Sequence, residues 1–111
     1  MAGGVQVRQA QDVKAIEAGL IQSRRIFGPS QGSKCFSFYH ATIAPGYADT
    51  SGYEYDEIVY LLKGQAEIEI DGARRTVGPG SAIFVPEGGV ATWKVVGAEA
   101  NEVLVVRPAG R

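Results

Sequence analysis

From Lys34 onward the hydrophobic pattern of this chain has a period of two, broken at short intervals by turn-forming residues. Strict alternation sends successive side chains to opposite faces of an extended strand, so segments this short build sheets rather than helices. Ala66, Ile68 and Ile70 alternate with Gln65, Glu67 and Glu69, the signature of a strand with one wet face. Asp71-Gly72 follows, a dipeptide whose ease at positive φ suits a two-residue hairpin, and residues 74–77 resume the strand up to Gly78-Pro79-Gly80. Residues 57–62 are rich in β-formers and stop at Lys63-Gly64; Ala82-Ile83-Phe84-Val85 stops at Pro86. Gly88-Gly89 turns the chain, and residues 91–96 and 102–107 read as the last strands. Short strands with turn signals about every 8–12 residues predict an all-β sandwich or barrel.

Residues 1–33 are less regular. Val13, Ile16 and Leu20 fall at helical spacing behind Asp12, a candidate N-cap, which predicts a short helix. Residues 22–27 read as a first strand, and Gly28-Pro29-Ser30-Gln31-Gly32-Ser33 as a loop. The expected organisation is an irregular segment over 1–33, with a short helix or strand, followed by a barrel over 34–111. At 111 residues the chain fits one domain.

Charge and composition remove several function classes. The net charge of -1 lacks the basic excess of a nucleic-acid footprint. No apolar run approaches the length of about 20 residues that spans a bilayer. Met1-Ala2-Gly3-Gly4 has no basic leader followed by an apolar stretch, so a cytoplasmic protein is the default expectation. Cys35 is the sole cysteine, which rules out an intramolecular disulfide and suits a structural thiol. No glycine-rich loop leads into a helix, so nothing supports nucleotide binding.

Residues 55–72, running from Tyr55-Asp56-Glu57-Ile58 to Asp71-Gly72, resemble the first motif of the cupins. Gly80-Ser81-Ala82-Ile83-Phe84-Val85-Pro86-Glu87-Gly88 resembles the second, and Ala44-Pro45-Gly46 the loop before the first. The resemblance extends over roughly residues 36–106 and implies a small cupin-type double-stranded β-helix, a jelly-roll barrel. Within the family, the ethanolamine-utilisation-like and ureidoglycine-aminohydrolase-like subgroups are the most similar, the latter through Ala91-Thr92-Trp93. Cupins usually hold a metal with three histidines and a glutamate. Glu57 matches that glutamate, but the histidine positions fall on Ser51, Tyr53 and Ala91. A lone carboxylate does not make a tight transition-metal site. The expectation is therefore no cofactor, with an atypical divalent metal on His40 and Glu57 as the alternative.

His40 is the sole histidine and shares a strand face with Phe36 and Phe38. An aromatic face reads as the core face, so His40 is expected inside the barrel, as a hydrogen-bonded core residue or as a general acid or base. The family geometry turns Glu57 inward as well. A carboxylate in an apolar barrel must be paired or protonated, and the protonated form is what a general acid needs. Tyr53 is expected to orient a substrate or hold Glu57, with Tyr55 beside it at the rim. Ala91 leaves room where a ligand stands in relatives, and Trp93, of the same parity, forms a wall there or simply fills the core. Tyr39 and Tyr60 have the opposite parity and read as packing between sheets or in a subunit contact.

Three readings of function follow. The first is metal-independent acid/base chemistry, such as isomerisation, cyclisation, dehydration or lyase chemistry, on a small organic or polyketide-like molecule. Here His40, Glu57 and Tyr53 are the catalytic set, and Phe36, Phe38, Tyr55, Ala91 and Trp93 bind substrate. The second is a metalloenzyme with the atypical site. The third is a non-catalytic ligand-binding or sensor module. The partners expected are a small-molecule ligand and, by resemblance, a second copy in a homodimer, with no nucleic acid and no membrane.

Overall fold

The computed structural model describes residues 4–111. Residues 1–3, part of the segment read for a leader, lie outside the described residues. The fold is a jelly-roll of two antiparallel sheets facing one another. One has six strands in the order β1-β2-β3-β10-β5-β8 and the other four in the order β4-β9-β6-β7. In chain order the strands are β1 (Ile16–Ala18), β2 (Ile21–Phe27), β3 (Phe36–Ile43), β4 (Ala48–Gly52) and β5 (Glu57–Lys63). They continue as β6 (Gln65–Ile70), β7 (Ala73–Val77), β8 (Ala82–Val85), β9 (Val90–Val96) and β10 (Asn101–Pro108). Among the described residues no helix is long and apolar enough to cross a membrane.

The expected strands form where the alternation put them. Glu69 and Arg74 face each other across the β6–β7 hairpin. Asp71 and Gly72 at its tip have φ of 48° and 85°, so both central residues take the left-handed conformation that this turn demands. Gly64, between β5 and β6, has φ of 86°, and a Cβ there would fall 2.5 Å from Asn101 Nδ2 and 2.6 Å from the Ala100 carbonyl oxygen. Glycine is required on both counts.

The helix expected over Val13–Leu20 does not form. A single 3₁₀ turn spans Ala10–Asp12, and residues 16–18 instead pair with β2 around Gly19. Val13 is buried, but Ile16 and Leu20 remain exposed, so the three share no common buried face for a helix to fill. Strand β2 continues into the barrel by pairing with β3 from Ile21 to Phe27.

Parity within β3 is the reverse of the expectation. Ser37, Ala41 and Ile43 are buried with Tyr39 packed against the core, whereas Phe36 is half-exposed and shares the outer face with Phe38 and His40. Aromatic content misled because the outer face of the six-stranded sheet is itself apolar. Ile58, Tyr60 and Phe84 are exposed there beside Phe36. Inside, two clusters fill the barrel. Ala41, Ile43, Val59, Leu61, Val95, Val103 and Val105 form one; Ala66, Ile68, Ile83, Val85 and Ala91 form the other.

Candidate functional site

The first of these clusters leaves a cavity of about 290 Å³ unfilled at one end of the barrel. Its floor is aliphatic, from Ile43, Val59, Val103 and Val105. Its polar groups are Ser23, Tyr39, Tyr47, Ser51, Tyr53, Glu57 and Arg107, and Trp93 closes one side. An apolar hollow with a few convergent polar groups is the usual form of a small-molecule site.

Glu57 opens β5, where the inward parity of Val59 and Leu61 carries its carboxylate into the barrel. It is 4% exposed. Arg107 reaches it from β10, one step beyond the Ile58–Val106 register pair. The guanidinium Nε donates to Glu57 Oε1 at 2.5 Å. The two tyrosine rings at 5.0 Å (Tyr39) and 5.9 Å (Tyr55) from its central carbon hold the guanidinium by cation–π contact. Burial opposes the charge on Arg107, but the carboxylate of Glu57, with Tyr55 and Tyr39, outweighs that penalty and holds its pKa above the usual arginine value. The cation is permanent.

Tyr53 is placed by backbone bonds to the turn after β8. Its N–H donates to the Gly89 carbonyl at 2.9 Å, and its own carbonyl accepts from Gly88 N–H at 2.8 Å. Asp56 adds a third stitch by accepting from the Glu87 N–H at 2.8 Å. Burial, then the neighbouring Glu57 charge, pushes the Tyr53 phenol well above its ordinary pKa. It therefore stays a neutral hydrogen-bond donor. Tyr55 meets it edge-on, with ring centroids 6.4 Å apart. Trp93 is fixed by its indole N–H, which donates to Asn101 Oδ1 at 2.9 Å, while Asn101 Nδ2 donates to the Gln65 carbonyl at 3.0 Å.

The expected site residues divide accordingly. Glu57, Tyr53 and Trp93 line the cavity, and Tyr55 stacks behind Arg107. Ala91 does not open onto the cavity; it is buried in the second cluster with Ile68 and Val85. Phe36, Phe38 and His40 lie on the outer face, so they cannot serve as substrate walls or proton carriers here. His40 Nε2 instead meets Glu102 Oε1 at 3.0 Å, with Lys63 Nζ 3.6 Å from the other carboxylate oxygen. The His40 hydrogen bond holds the Glu102 carboxyl below its usual range, against the opposing effect of burial. His40 and Glu57, expected together on an atypical metal, lie on opposite faces of one sheet and do not converge.

Tyr39, Tyr47 and Arg107 line the cavity but are not in the set expected from the sequence. Tyr39 was read as packing, and Arg107 only as the end of the last strand. Both were marked by parity, because Arg107 continues the inward set Val103 and Val105, which are buried.

Residues 31–98, more than half of the chain, match the family described as the EutQ-like cupin domain. The chain belongs to that cupin family. This cupin finds no match among curated proteins. Among solved structures it is similar to the polyketide cyclase RemF from Streptomyces resistomycificus, at 24% identity and a TM-score of 0.84, covering 97% of this chain and 82% of that one. Ectoine synthase from P. lautus is similar at 22% identity and a TM-score of 0.82, covering 95% and 79%. A putative ethanolamine utilization protein Q from Salmonella typhimurium is similar at 16% identity and a TM-score of 0.68, covering 82% and 71%. Likeness at these identities establishes the fold.

The metal that cupins usually carry does not fit the donors of this one. Of the four matched positions Ser51, Tyr53, Glu57 and Ala91, only Glu57 offers an anionic carboxylate, and its Oε1 is engaged by Arg107. No group of three His, Cys, Asp or Glu side chains converges anywhere among the described residues.

Proposed function

We propose that this cupin is a small-molecule enzyme that moves protons in the barrel cavity, with Glu57 as general base and acid and Tyr53 as hydrogen-bond donor. The observation that carries the reading is a carboxylate, a permanent guanidinium and a neutral phenol gathered in one apolar hollow. Such a set suits proton abstraction next to a carbonyl. Glu57 takes the proton from carbon, the C–H electron pair moves onto the carbonyl oxygen, and Tyr53 donates to the enolate so formed. Glu57 then returns the proton to a different atom, which completes an isomerisation or sets up a cyclisation or elimination. Similarity to a polyketide cyclase supports a polyketide-like carbonyl compound as the substrate class.

The test is solvent deuterium incorporation into a panel of enolisable carbonyl compounds, followed by NMR. It detects enolisation even when no net product forms. Wild-type protein is expected to exchange at least one of them, Glu57→Gln to lose exchange, and Tyr53→Phe to slow it by about 10²-fold, the scale of losing one oxyanion donor. Exchange that survives Glu57→Gln overturns the assignment. A second reading, ligand binding without turnover, is favoured by one observation, namely that Arg107 already ties the Glu57 carboxylate in the resting barrel. Saturable binding with no exchange in any compound supports it. The homodimer implied by the family resemblance belongs with this proposal, and the apolar outer face around Phe36, Ile58 and Phe84 is where a second copy would pack.

A further inference from the structure

Arg107 spends little of its hydrogen-bonding capacity within the protein. Its side chain makes one hydrogen bond among the described residues, through Nε to Glu57. The terminal Nη1 and Nη2 groups make none, yet the residue lines the cavity and its side chain is one-third exposed. That edge of a guanidinium is the fork that grips a carboxylate through two parallel hydrogen bonds. Cation–π contacts with Tyr39 and Tyr55 already set its orientation, so little freedom remains to be lost on binding. Burial of Glu57 supplies the second half of the argument. A resident carboxylate next to the fork competes with any incoming anion for the same cation.

From this geometry we infer that the cavity binds a flat, unsaturated or aromatic carboxylate through the free edge of Arg107, and that Glu57 is a built-in competitor whose tie to that cation the ligand loosens. The inference rests on the proposed reading of this cavity as the ligand site, and not on turnover. The ligand carboxylate shares the charge of Arg107. Its flat body lies between the tyrosines at the mouth and Trp93 at the side. Sharing the cation weakens its hold on Glu57 through Nε and leaves that carboxylate freer to accept a proton. The resting ion pair is thus a latch that keeps the base engaged until a substrate of the right charge arrives.

Two probes differing only in charge test this, 2-naphthoate and its neutral amide, with binding followed by calorimetry or Trp93 fluorescence. Wild type is expected to bind the carboxylate at least about tenfold tighter than the amide, the scale of one charge-assisted contact. Arg107→Met should erase that preference, and Arg107→Lys, which keeps the charge but not the fork, should reduce it. Glu57→Gln should tighten 2-naphthoate by about tenfold while moving the amide less than threefold. A gain of affinity cannot arise from misfolding, so that variant decides alone. If Glu57→Gln leaves carboxylate binding unchanged or weakens it, the latch is wrong. Equal binding of the two probes by wild type overturns the anion site but leaves the cavity reading standing. Failure of both probes to bind overturns the cavity reading and this inference with it.

Discussion

Replacing Arg107 with Met should strand the buried charge of Glu57, and the structure sets a ceiling on the cost. Glu57 is 4% exposed, and among the described residues its charged partner is Arg107, with the Tyr53 phenol beside it. Removing one partner of a buried pair costs about 3–5 kcal/mol when the remaining charge has no escape. Here the escape is protonation. Protonating a carboxyl group at pH 7, against an unfolded value of about 4.3, costs about 1.36 kcal/mol per pH unit, or about 3.7 kcal/mol. The same arithmetic at pH 5 gives about 1 kcal/mol. In the variant the folded state holds a proton that the unfolded chain releases, so the penalty grows as pH rises above the ordinary carboxyl range and fades below it. Loss of the contacts with Tyr39 and Tyr55 adds a smaller part independent of pH, about 0.5–1 kcal/mol for each. Urea unfolding at pH 5 and pH 7, read at constant m-value, measures the difference directly. The expected destabilisation is about 2–3 kcal/mol larger at pH 7 than at pH 5. The double variant Glu57→Gln with Arg107→Met should recover most of that difference. Equal losses at the two pH values would show that Glu57 reaches water by another route and would refute the reasoning.

Other outcomes follow from the same contacts. Asn101→Ala leaves the Trp93 indole N–H and the Gln65 carbonyl without their partner in a fully buried position, and should cost about 2–4 kcal/mol by chemical denaturation. Alkaline titration followed by tyrosine absorbance should show Tyr53 ionising later than an ordinary phenol near pH 10. Because the folded state holds that proton more tightly, its contribution to stability is complete below pH 10 and lost as pH climbs further; Tyr53→Phe should leave the amplitude near pH 10 unchanged. His40→Ala should leave binding of 2-naphthoate within about twofold of wild type, because one factor of two is well under 1 kcal/mol and His40 sits on the far side of its sheet. A large loss of affinity would return His40 to the site.

The architecture was legible from local rules, and the site only in part. Alternation over 65–70 and the Asp71-Gly72 turn located β6 and β7, since both signals depend only on neighbouring residues. The orientation of β3 was not legible in the same way. Its two faces, Phe36-Phe38-His40 and Ser37-Tyr39-Ala41-Ile43, are both apolar enough to be buried, and the choice is made by the strands that flank it. That single reversal moved His40 out of the barrel and brought Tyr39 in. Glu57 and Tyr53 do line the cavity, Glu57 because it opens β5 with the inward parity of Val59 and Leu61, and Tyr53 because its backbone is stitched to the Gly88-Gly89 turn. Arg107 lies beyond the matched stretch, and a charged residue at the end of a valine-rich strand ordinarily points to water.

The Arg107–Glu57 pair also says what it would take to turn this barrel into a metalloprotein. Placing histidines at positions 51 and 53 would restore two of the family's missing nitrogen donors, whereas position 91 lies in the second cluster, away from the cavity. Yet an incoming divalent ion would have to evict a guanidinium 2.5 Å from the one carboxylate it needs, and would then sit beside a fixed positive charge. Position 107 therefore has to lose its charge before the histidines can be of use, and the order of substitutions matters. Taken one at a time, the histidine changes would confer no affinity for an ion, whereas neutralising position 107 first would leave a barrel short of stability until the ion arrived. Arginine here is less a neighbour of the site than a barrier between two ways of using the same fold.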